Sequence, residues 1–292
     1  MAADIFQGLK NHPRSRIFAV AAALVLMFLA GVWAAYHLFG RVSTDDAFVD
    51  GDVVPVSPRV SGHIAKVYIA DNQAVKEGDP LFDIDDRDYA ARRDLALADV
   101  DAAKAEAEQA ASDLERYEKL RTTGDISEQK YDEAVFHGHA AEAKMAAAEA
   151  RLEQAELEVS YTRVTAAVTG RVARKSVEQG AFVQAGQVML ALVAPQRWVT
   201  ANFKETQLTH IRPGQRADIR IDAYPSLVLR GHVDSIQQGT GSRFSLLPAE
   251  NATGNFIKVV QRVPVKIVFD GAPEALKDVP LGCSVVPTVV EK

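Results

Sequence analysis

The chain has 292 residues, a net charge of −6 and a single cysteine, Cys283. The length is enough for about two domains. The acidic balance gives no reason to expect a nucleic-acid partner, because proteins that bind nucleic acid usually present a basic face. A lone thiol excludes an internal disulfide framework, and we interpret Cys283 as a small buried apolar residue.

The N-terminal part of the chain contains an almost unbroken apolar run, residues 17–40, which follows several basic residues. About 22 residues at 1.5 Å each span the roughly 30 Å hydrocarbon core of a bilayer. The positive-inside rule then keeps residues 1–16 in the cytoplasm and places everything after Arg41 outside. A cleavable signal peptide is the alternative, although the run is longer than the usual signal core. A single span forms no transport path, so this protein would serve a path that another protein builds.

Residues 60–84 and 168–192 are two copies of one pattern, held at a constant spacing of 108 residues without a gap. Runs of β-branched residues punctuated by Gly and Pro are typical of short strands joined by tight turns. The sequence therefore predicts one small β-domain in two halves, with a long insertion between them. The matched positions are Gly62 and Gly170, Ile64 and Val172, Ile69 and Val177, Val75 and Val183, Gly78 and Gly186, and Leu81 and Met189.

The insertion is rich in Ala, Glu, Lys and Arg, which are strong helix formers, and we predict helices over 86–121 and 127–161. Gly124 suits a helix C-cap and Asp125 or Ser127 an N-cap. Apolar or small residues recur in steps of three and four, which predicts a heptad seam and an antiparallel coiled coil with arms roughly 52 Å long. The seam positions are Tyr89, Ala96, Val100, Ala103, Ala107, Ala110, Leu114 and Tyr117 in the first helix, and Tyr131, Ala134, Gly138, Ala141, Met145, Ala148, Leu152, Ala155 and Val159 in the second.

The C-terminal part, residues 196–292, returns to short alternating strands punctuated by Gly and Pro, which predicts a small β-barrel. A long polar loop over 239–255 interrupts these strands, and loops of that length tend to be functional or mobile. The loop contains Asn251, which lies in a glycosylation sequon. The expected strands are 198–203, 217–221, 227–236 and 256–269.

No group of residues forms a convincing catalytic, metal-binding or cofactor-binding constellation. His137 and His139 are the only close histidine pair, and positions two apart do not share a helix face. An acidic cluster in residues 83–88 could hold a metal, but negative charge at the N-terminus of a helix explains it better. We therefore predict a protein that is not an enzyme and has no cofactor.

The order of elements resembles the HlyD-type membrane fusion proteins, which are the periplasmic adaptors of tripartite efflux pumps. Within that family the chain is most similar to the EmrA-like branch, and the segments that carry this similarity are 43–50, 202–206, 212–214 and 254–267. The resemblance implies an α+β fold: an N-terminal transmembrane helix, a split lipoyl-like β-domain, an antiparallel α-helical coiled-coil hairpin and a small β-barrel domain. In true carrier domains the modified lysine lies on the turn that the hairpin replaces here, so we expect neither lipoylation nor biotinylation.

The predicted domain order is a cytoplasmic N-terminus (1–16), a transmembrane anchor (17–40), the strand that leads into the barrel with the first lipoyl-like half (44–85), the α-helical hairpin (86–161), the second lipoyl-like half (162–195) and the β-barrel domain (196–292).

The tip of the predicted hairpin carries a further match to the family. Adaptors that dock on TolC-type channels have an arginine, a leucine four residues later and a serine seven residues after that, and Arg116, Leu120 and Ser127 fit this spacing. The resemblance implies that the arginine bonds to carbonyl or carboxylate groups of the channel. Leu120 would fill a groove, and Ser127 would cap the helix or bond to the channel. The alternative is a surface arginine, a leucine at the seam edge and an ordinary N-cap.

The function implied by the resemblance is that of an adaptor in the inner membrane of a Gram-negative bacterium, with its main body in the periplasm. It would link an inner-membrane transporter to a TolC-type outer-membrane channel, export drugs or small toxic molecules, and self-associate into a trimeric or hexameric ring. The membrane-proximal domain of RND-type adaptors is missing, which argues for a major-facilitator-type transporter, and the hairpin is shorter than is usual for this branch. The alternatives are an adaptor for an ABC-type protein exporter and a lipoyl or biotinyl carrier subunit.

Overall fold

The computed structural model describes residues 21–29, 31, 40–244, 259–271, 276 and 279–291. The chain divides into two compact units, one made of Met1–Gly51 with Gln196–Lys292 and the other of Asp52–Pro195. We call them the barrel unit and the sandwich unit. The boundaries fall inside two long strands, β2 (Ala47–Val56) and β9 (Leu190–Lys204).

Residues 21–29 form a helix, α1, within the apolar run that the sequence analysis identified as a transmembrane anchor. The rest of the predicted anchor (residues 17–20, 30 and 32–39) lies outside the described residues. The sequon residue Asn251 also lies outside them. In the part of the chain that the structure describes, no helix has both the length and the apolar character needed to cross a membrane.

The β-strands of the sandwich unit come from both copies of the repeat. One sheet has the order β6-β5-β3-β8, and β7 pairs with β4 and with the first part of β9. The apolar positions that the repeat matched are buried in one hydrophobic cluster between these sheets. The strands are β3 (Gly62–Val67), β4 (Ala74–Val75), β5 (Pro80–Ile84), β6 (Arg163–Thr165), β7 (Gly170–Ala173) and β8 (Phe182–Val183).

The two copies of the repeat also form equivalent hydrogen bonds. The amide of Gly78 donates to the carbonyl of Ala166 at 2.8 Å, and the amide of Gly186 donates to the carbonyl of Pro58 at 2.9 Å. Both glycines have a positive φ, 86° and 80°, which only glycine adopts readily. Adding 108 to one set of residue numbers gives Gly186 from Gly78 and Ala166 from Pro58, so each half provides the partner of the other. The halves are therefore related by an approximate twofold axis.

The predicted hairpin is present, with helices α2 (Arg87–Thr123) and α3 (Glu128–Thr162). Gly124 is the C-cap of α2, as predicted, and has a left-handed conformation with φ of 77°, while Ser127 is the N-cap of α3. Every predicted seam position is buried or half-buried. The most deeply buried of them are the alanines Ala103, Ala110, Ala134, Ala141, Ala148 and Ala155.

Ion pairs between the two helices show that they run antiparallel. Glu106 pairs with Lys144, and Arg92 pairs with Glu158 at 3.3 Å. As one partner moves toward the tip along α2, the other moves toward the tip along α3 by the same number of residues. This register places Ala103 opposite a small residue of α3, so the helices can approach closely and bury little apolar surface per residue.

The barrel unit contains the remaining strands in the order β1-β13-β10-β11-β12-β9, and β2 pairs with β9. A bridge from Phe48 of β2 to Ser284, directly before β13, closes the barrel. Alternate residues of the strands point into one hydrophobic core. Strands β1 and β13 were not predicted from the sequence. The strands are β1 (Arg41–Ser43), β10 (Arg216–Ile221), β11 (Tyr224–Ile236), β12 (Arg262–Phe269) and β13 (Val285–Val290).

Candidate functional site

The turn at the tip of the hairpin is tight because one glycine reverses the chain. The amide of Gly124 donates to the carbonyl of Arg121 at 3.2 Å, and the amide of Asp125 donates to the carbonyl of Leu120 at 3.0 Å. These bonds satisfy carbonyl groups that the end of a helix would otherwise leave without partners. The turn therefore holds the last residues of α2 and the first residues of α3 next to each other at one end of the hairpin.

Arg116 and Leu120 lie one helical turn apart on α2, so their side chains share a face of the helix. The side chain of Arg116 is 65% exposed and reaches Asp113 with an Nη2–Oδ1 distance of 3.3 Å. Leu120 is 36% exposed. An exposed ion pair at this spacing contributes less than about 1 kcal/mol, so the guanidinium of Arg116 can exchange Asp113 for an acceptor on another protein.

Ser127, the third predicted docking residue, lies at the N-cap of α3. Its carbonyl accepts hydrogen bonds from the amides of Lys130 at 3.1 Å and Tyr131 at 3.2 Å, while its side chain makes no capping hydrogen bond. The hydroxyl is exposed at the tip. The structure thus brings all three predicted residues to the same end of the hairpin, each with a side chain that solvent or a partner can reach.

Two contacts that the sequence analysis missed stiffen the tip. The guanidinium of Arg121 lies 3.9 Å from the ring centroid of Tyr131, so a cation–π contact joins α2 to α3. The hydroxyl of Thr123 donates to Asp125 Oδ2 at 2.6 Å across the turn. Tyr131 had been identified only as a seam position. A basic residue in the last turn of one helix, with an aromatic residue in the first turn of the next, was the signal that could have found this contact.

The segments that carry the family resemblance meet in the barrel unit. Asn202 Nδ2 donates to Asp46 Oδ1 at 3.1 Å, and Arg262 Nη1 lies 3.1 Å from Asp46 Oδ2. The hydroxyl of Thr44 donates to the carbonyl of Asn202 at 3.0 Å. Three segments that are distant in sequence are therefore tied together by side chains around one carboxylate. Their part is to hold β2, β9 and β12 together, and none of them forms a catalytic arrangement.

The acidic cluster in residues 83–88 lies where the sandwich unit passes into α2. The guanidinium of Arg87 donates to Asp85 Oδ1 at 2.9 Å and to Asp85 Oδ2 at 2.6 Å. These hydrogen bonds lower the pKa of Asp85 to about 2. Asp86 is the N-cap of α2. Among the described residues, no group of three or more His, Cys, Asp or Glu side chains could hold a metal ion.

Two family models match the chain, one to each unit of the structure. The model described as "RND MFP, barrel-sandwich hybrid domain" matches residues 52–194, and the "AAEA-like beta-barrel domain" model matches residues 197–290.

The chain is also similar to curated proteins over nearly its whole length. It is 34% identical to the probable multidrug resistance protein EmrK of Escherichia coli over 335 aligned positions, which cover 97% of this chain and 86% of the relative. It is 30% identical to the colistin resistance protein EmrA of Acinetobacter baumannii, with 93% of each chain covered. Among solved structures, a chimeric MacA–MexA protein that contains the Pseudomonas aeruginosa MexA α-hairpin domain is similar, with a TM-score of 0.64, 24% identity, and 87% of this chain and 82% of that chain covered.

Proposed function

The chain belongs to the membrane fusion protein family of periplasmic adaptors, and on that premise we propose that it links an inner-membrane transporter to a TolC-type outer-membrane channel. Members of this family are not enzymes. Export of drugs or small toxic molecules is the proposed activity, and the names of two relatives, which concern multidrug and colistin resistance, support it. A transporter of the major-facilitator type is the proposed inner-membrane partner.

One observation carries this proposal: a long helical arm leaves the sandwich unit between its two halves and ends in a tight turn. The predicted docking side chains near that turn are exposed, and Arg116 makes only an exposed ion pair within the chain. An arm with an alanine seam buries little apolar surface and gains little stability of its own. Reach and surface chemistry at the tip explain such an element better than stability does.

Arg116, Leu120 and Ser127 are the proposed docking residues. Arg116 would exchange its exposed pair with Asp113 for carbonyl or carboxylate oxygens of the channel. Leu120 would bury its exposed apolar surface in a groove, and the hydroxyl of Ser127 would bond to the channel.

We propose that residues 17–40 anchor the chain in the inner membrane of a Gram-negative bacterium as a single span, with residues 1–16 in the cytoplasm. The remainder would lie in the periplasm, with the domain boundaries predicted from the sequence. The sandwich and barrel units would pack side by side with those of other copies in a trimeric or hexameric ring. The hairpins would then form a tube that meets the channel.

A complementation assay tests the docking proposal. A strain that lacks this gene is tested for susceptibility to drugs and organic acids after complementation with wild type, with Arg116→Ala/Leu120→Ala, or with Glu115→Ala/Lys119→Ala. The last variant is the matched control, because it removes an exposed ion pair of 2.7 Å from the same end of α2. We expect wild type and the control to restore resistance and the Arg116/Leu120 variant to fail at equal expression.

Normal export by the Arg116/Leu120 variant would count against the docking role of these residues. Susceptibility of the deletion strain equal to that of its parent would count against small-molecule export and favour an adaptor for an ABC-type protein exporter. A carrier subunit is the remaining alternative, and a lipoyl or biotinyl adduct in the intact mass of the chain would support it.

A further inference from the structure

The sandwich unit contains an open cleft of about 410 Å³ where strand β6 meets the C-terminal end of α3. We call it the junction cleft. It is lined by residues 55–59, by residues 160 and 161 of α3, and by residues 163, 164, 165 and 167. Its volume lies within the range of roughly 300–1,000 Å³ that is typical of small-molecule sites.

The junction cleft is lined by the two equivalent segments that directly precede the copies of the repeat, since adding 108 to 55–59 gives 163–167. The equivalent positions differ in charge. Arg59 corresponds to Ala167, and Arg163 corresponds to Pro55. Each half therefore provides one arginine at a position where the other half has a neutral residue. Neither arginine is therefore a requirement of the repeated pattern, because the equivalent position in the other half has no arginine.

The side chains that line the junction cleft include two arginines and no carboxylate. Arg59 stacks on the ring of Tyr161, with 4.8 Å between the guanidinium carbon and the ring centroid. The carboxylate nearest to Arg163 is Asp83, with an Nε–Oδ1 distance of 3.8 Å, near the outer limit of an ion pair, and the Arg163 side chain is 74% exposed. Asp83 neutralises Arg163 only in part. In a chain of net charge −6, this cleft is a local concentration of positive charge.

The rest of the lining is apolar or carries hydroxyl groups. Tyr161 and Pro55 offer flat apolar surfaces, and Thr165 adds a hydroxyl. Arginine recognises a carboxylate or sulfonate through two parallel hydrogen bonds, which lysine cannot offer in the same geometry. A ligand with an apolar body and one anionic group would satisfy both parts of the lining.

We propose that the junction cleft binds an amphipathic organic anion. Arg59 and Arg163 hold its anionic group, and the ring of Tyr161 and Pro55 contact its apolar body. The anion competes with Asp83 for Arg163 and leaves the stack of Arg59 on Tyr161 in place. The site is independent of the hairpin tip, so it stands whether or not the chain docks on an outer-membrane channel.

Calorimetric titration of the full-length chain with 1-naphthoate tests the proposal, with 1-naphthamide as the neutral ligand of the same shape. We expect 1-naphthoate to bind at least about tenfold more tightly than the amide. The affinity for 1-naphthoate should fall about tenfold in Arg59→Gln and in Arg163→Gln, and should weaken at high salt, because the site is open to solvent. Arg59→Lys should retain part of the affinity, since it keeps the charge without the paired hydrogen bonds.

Arg151→Gln is the matched control, because Arg151 is an exposed arginine of the same helix, α3, that does not line the cleft. It should bind 1-naphthoate like wild type. Arg59 and Arg163 are exposed, so their variants should retain the wild-type circular dichroism spectrum. No binding at millimolar 1-naphthoate, equal binding of the amide, or unchanged affinity in both arginine variants would each overturn the proposal.

Discussion

The two half-repeats allow one kind of substitution to be compared at equivalent positions. A Cβ added at Gly170 would lie 2.6 Å from the backbone oxygen of Val193, whereas a Cβ added at Gly62 would lie 2.6 Å from Cγ2 of Ile84. Ordinary contacts begin at 3.4 Å. Both substitutions lack about 0.8 Å of space, but the obstacle is backbone in one case and the end of a side chain in the other.

The difference in obstacle sets the expected magnitudes. At Gly170 the strand β9 must move, and it is held there because its Val193 pairs with Arg171 of β7. We expect Gly170→Ala to lower the free energy of unfolding by about 3 kcal/mol, the upper part of the range for overpacking. At Gly62 the Ile84 side chain can change rotamer, and we expect about 1 kcal/mol. Gly186→Ala meets no atom within 4 Å but requires φ of 80°, which we expect to cost about 1–2 kcal/mol.

Thermal and urea unfolding followed by far-UV circular dichroism measures these differences. The signal is suitable because α2, α3 and all three glycines belong to the sandwich unit. A gap of about 2 kcal/mol between Gly170→Ala and Gly62→Ala corresponds to roughly 4–8 °C in Tm for a unit of this size. Equal stability of these two variants would refute the argument that β9 cannot yield. If Gly186→Ala is the least stable of the three variants, the strained backbone conformation costs more free energy than the lack of space for a Cβ.

Two further predictions concern ion pairs. Arg87→Gln should return the pKa of Asp85 from about 2 toward its ordinary value of 3.8, because the guanidinium hydrogen bonds lower it. The contact of Arg87 with ionised Asp85 stabilises the fold above about pH 3.8, and this stabilisation is lost as the pH falls through about 2. Carboxyl NMR titration measures the pKa of Asp85 in both proteins. An unchanged pKa in Arg87→Gln would contradict the role given to the guanidinium. A double-mutant cycle of Asp46→Ala and Arg262→Ala should give a coupling energy of about 1 kcal/mol, because the pair is partly shielded and shares Asn202 as a neighbour. The fully exposed Glu115–Lys119 pair should give a smaller coupling energy, and equal values for the two cycles would show that the network around Asp46 adds nothing.

The helices and the repeat could be predicted from the sequence because their signals are local and periodic. The seam from Tyr131 to Val159 needs only the 3.6-residue period of a helix, and the matched glycines need only a constant spacing. Strand β13 was missed although its residues alternate between buried and half-buried. A segment of six residues that contains Pro287 shows too few repeats of the alternating pattern to be recognised as a strand. Its pairing with β1 joins the two ends of the barrel unit, and no local pattern predicts such a contact.

The candidate sites also differ in how far the sequence alone could predict them. Arg116, Leu120 and Ser127 could be placed at the tip because a helix fixes where each residue lies along its axis. The network of Asp46, Asn202 and Arg262 could not be found by spacing. More than 150 residues separate Asp46 from Asn202, and only the closed barrel brings them together. The junction cleft shares this property, because its two arginines are distant in sequence and line one cleft only in the folded sandwich unit.

The base of the hairpin explains how one sandwich can support arms of different length. Strands β5 and β6 are paired at the points where the hairpin leaves and returns, with Asp83 opposite Arg163. The two helices continue in antiparallel orientation, as the pairing of Glu106 with Lys144 shows. Equal numbers of residues added to both helices in multiples of seven would keep the seam and leave the strands unmoved. The alignment with EmrK of Escherichia coli spans 335 positions, more than the 292 residues of this chain, so a relative accommodates residues that this chain lacks. Residues added in the hairpin would disturb neither half-repeat, which would make the reach of the arm adjustable independently of the sandwich.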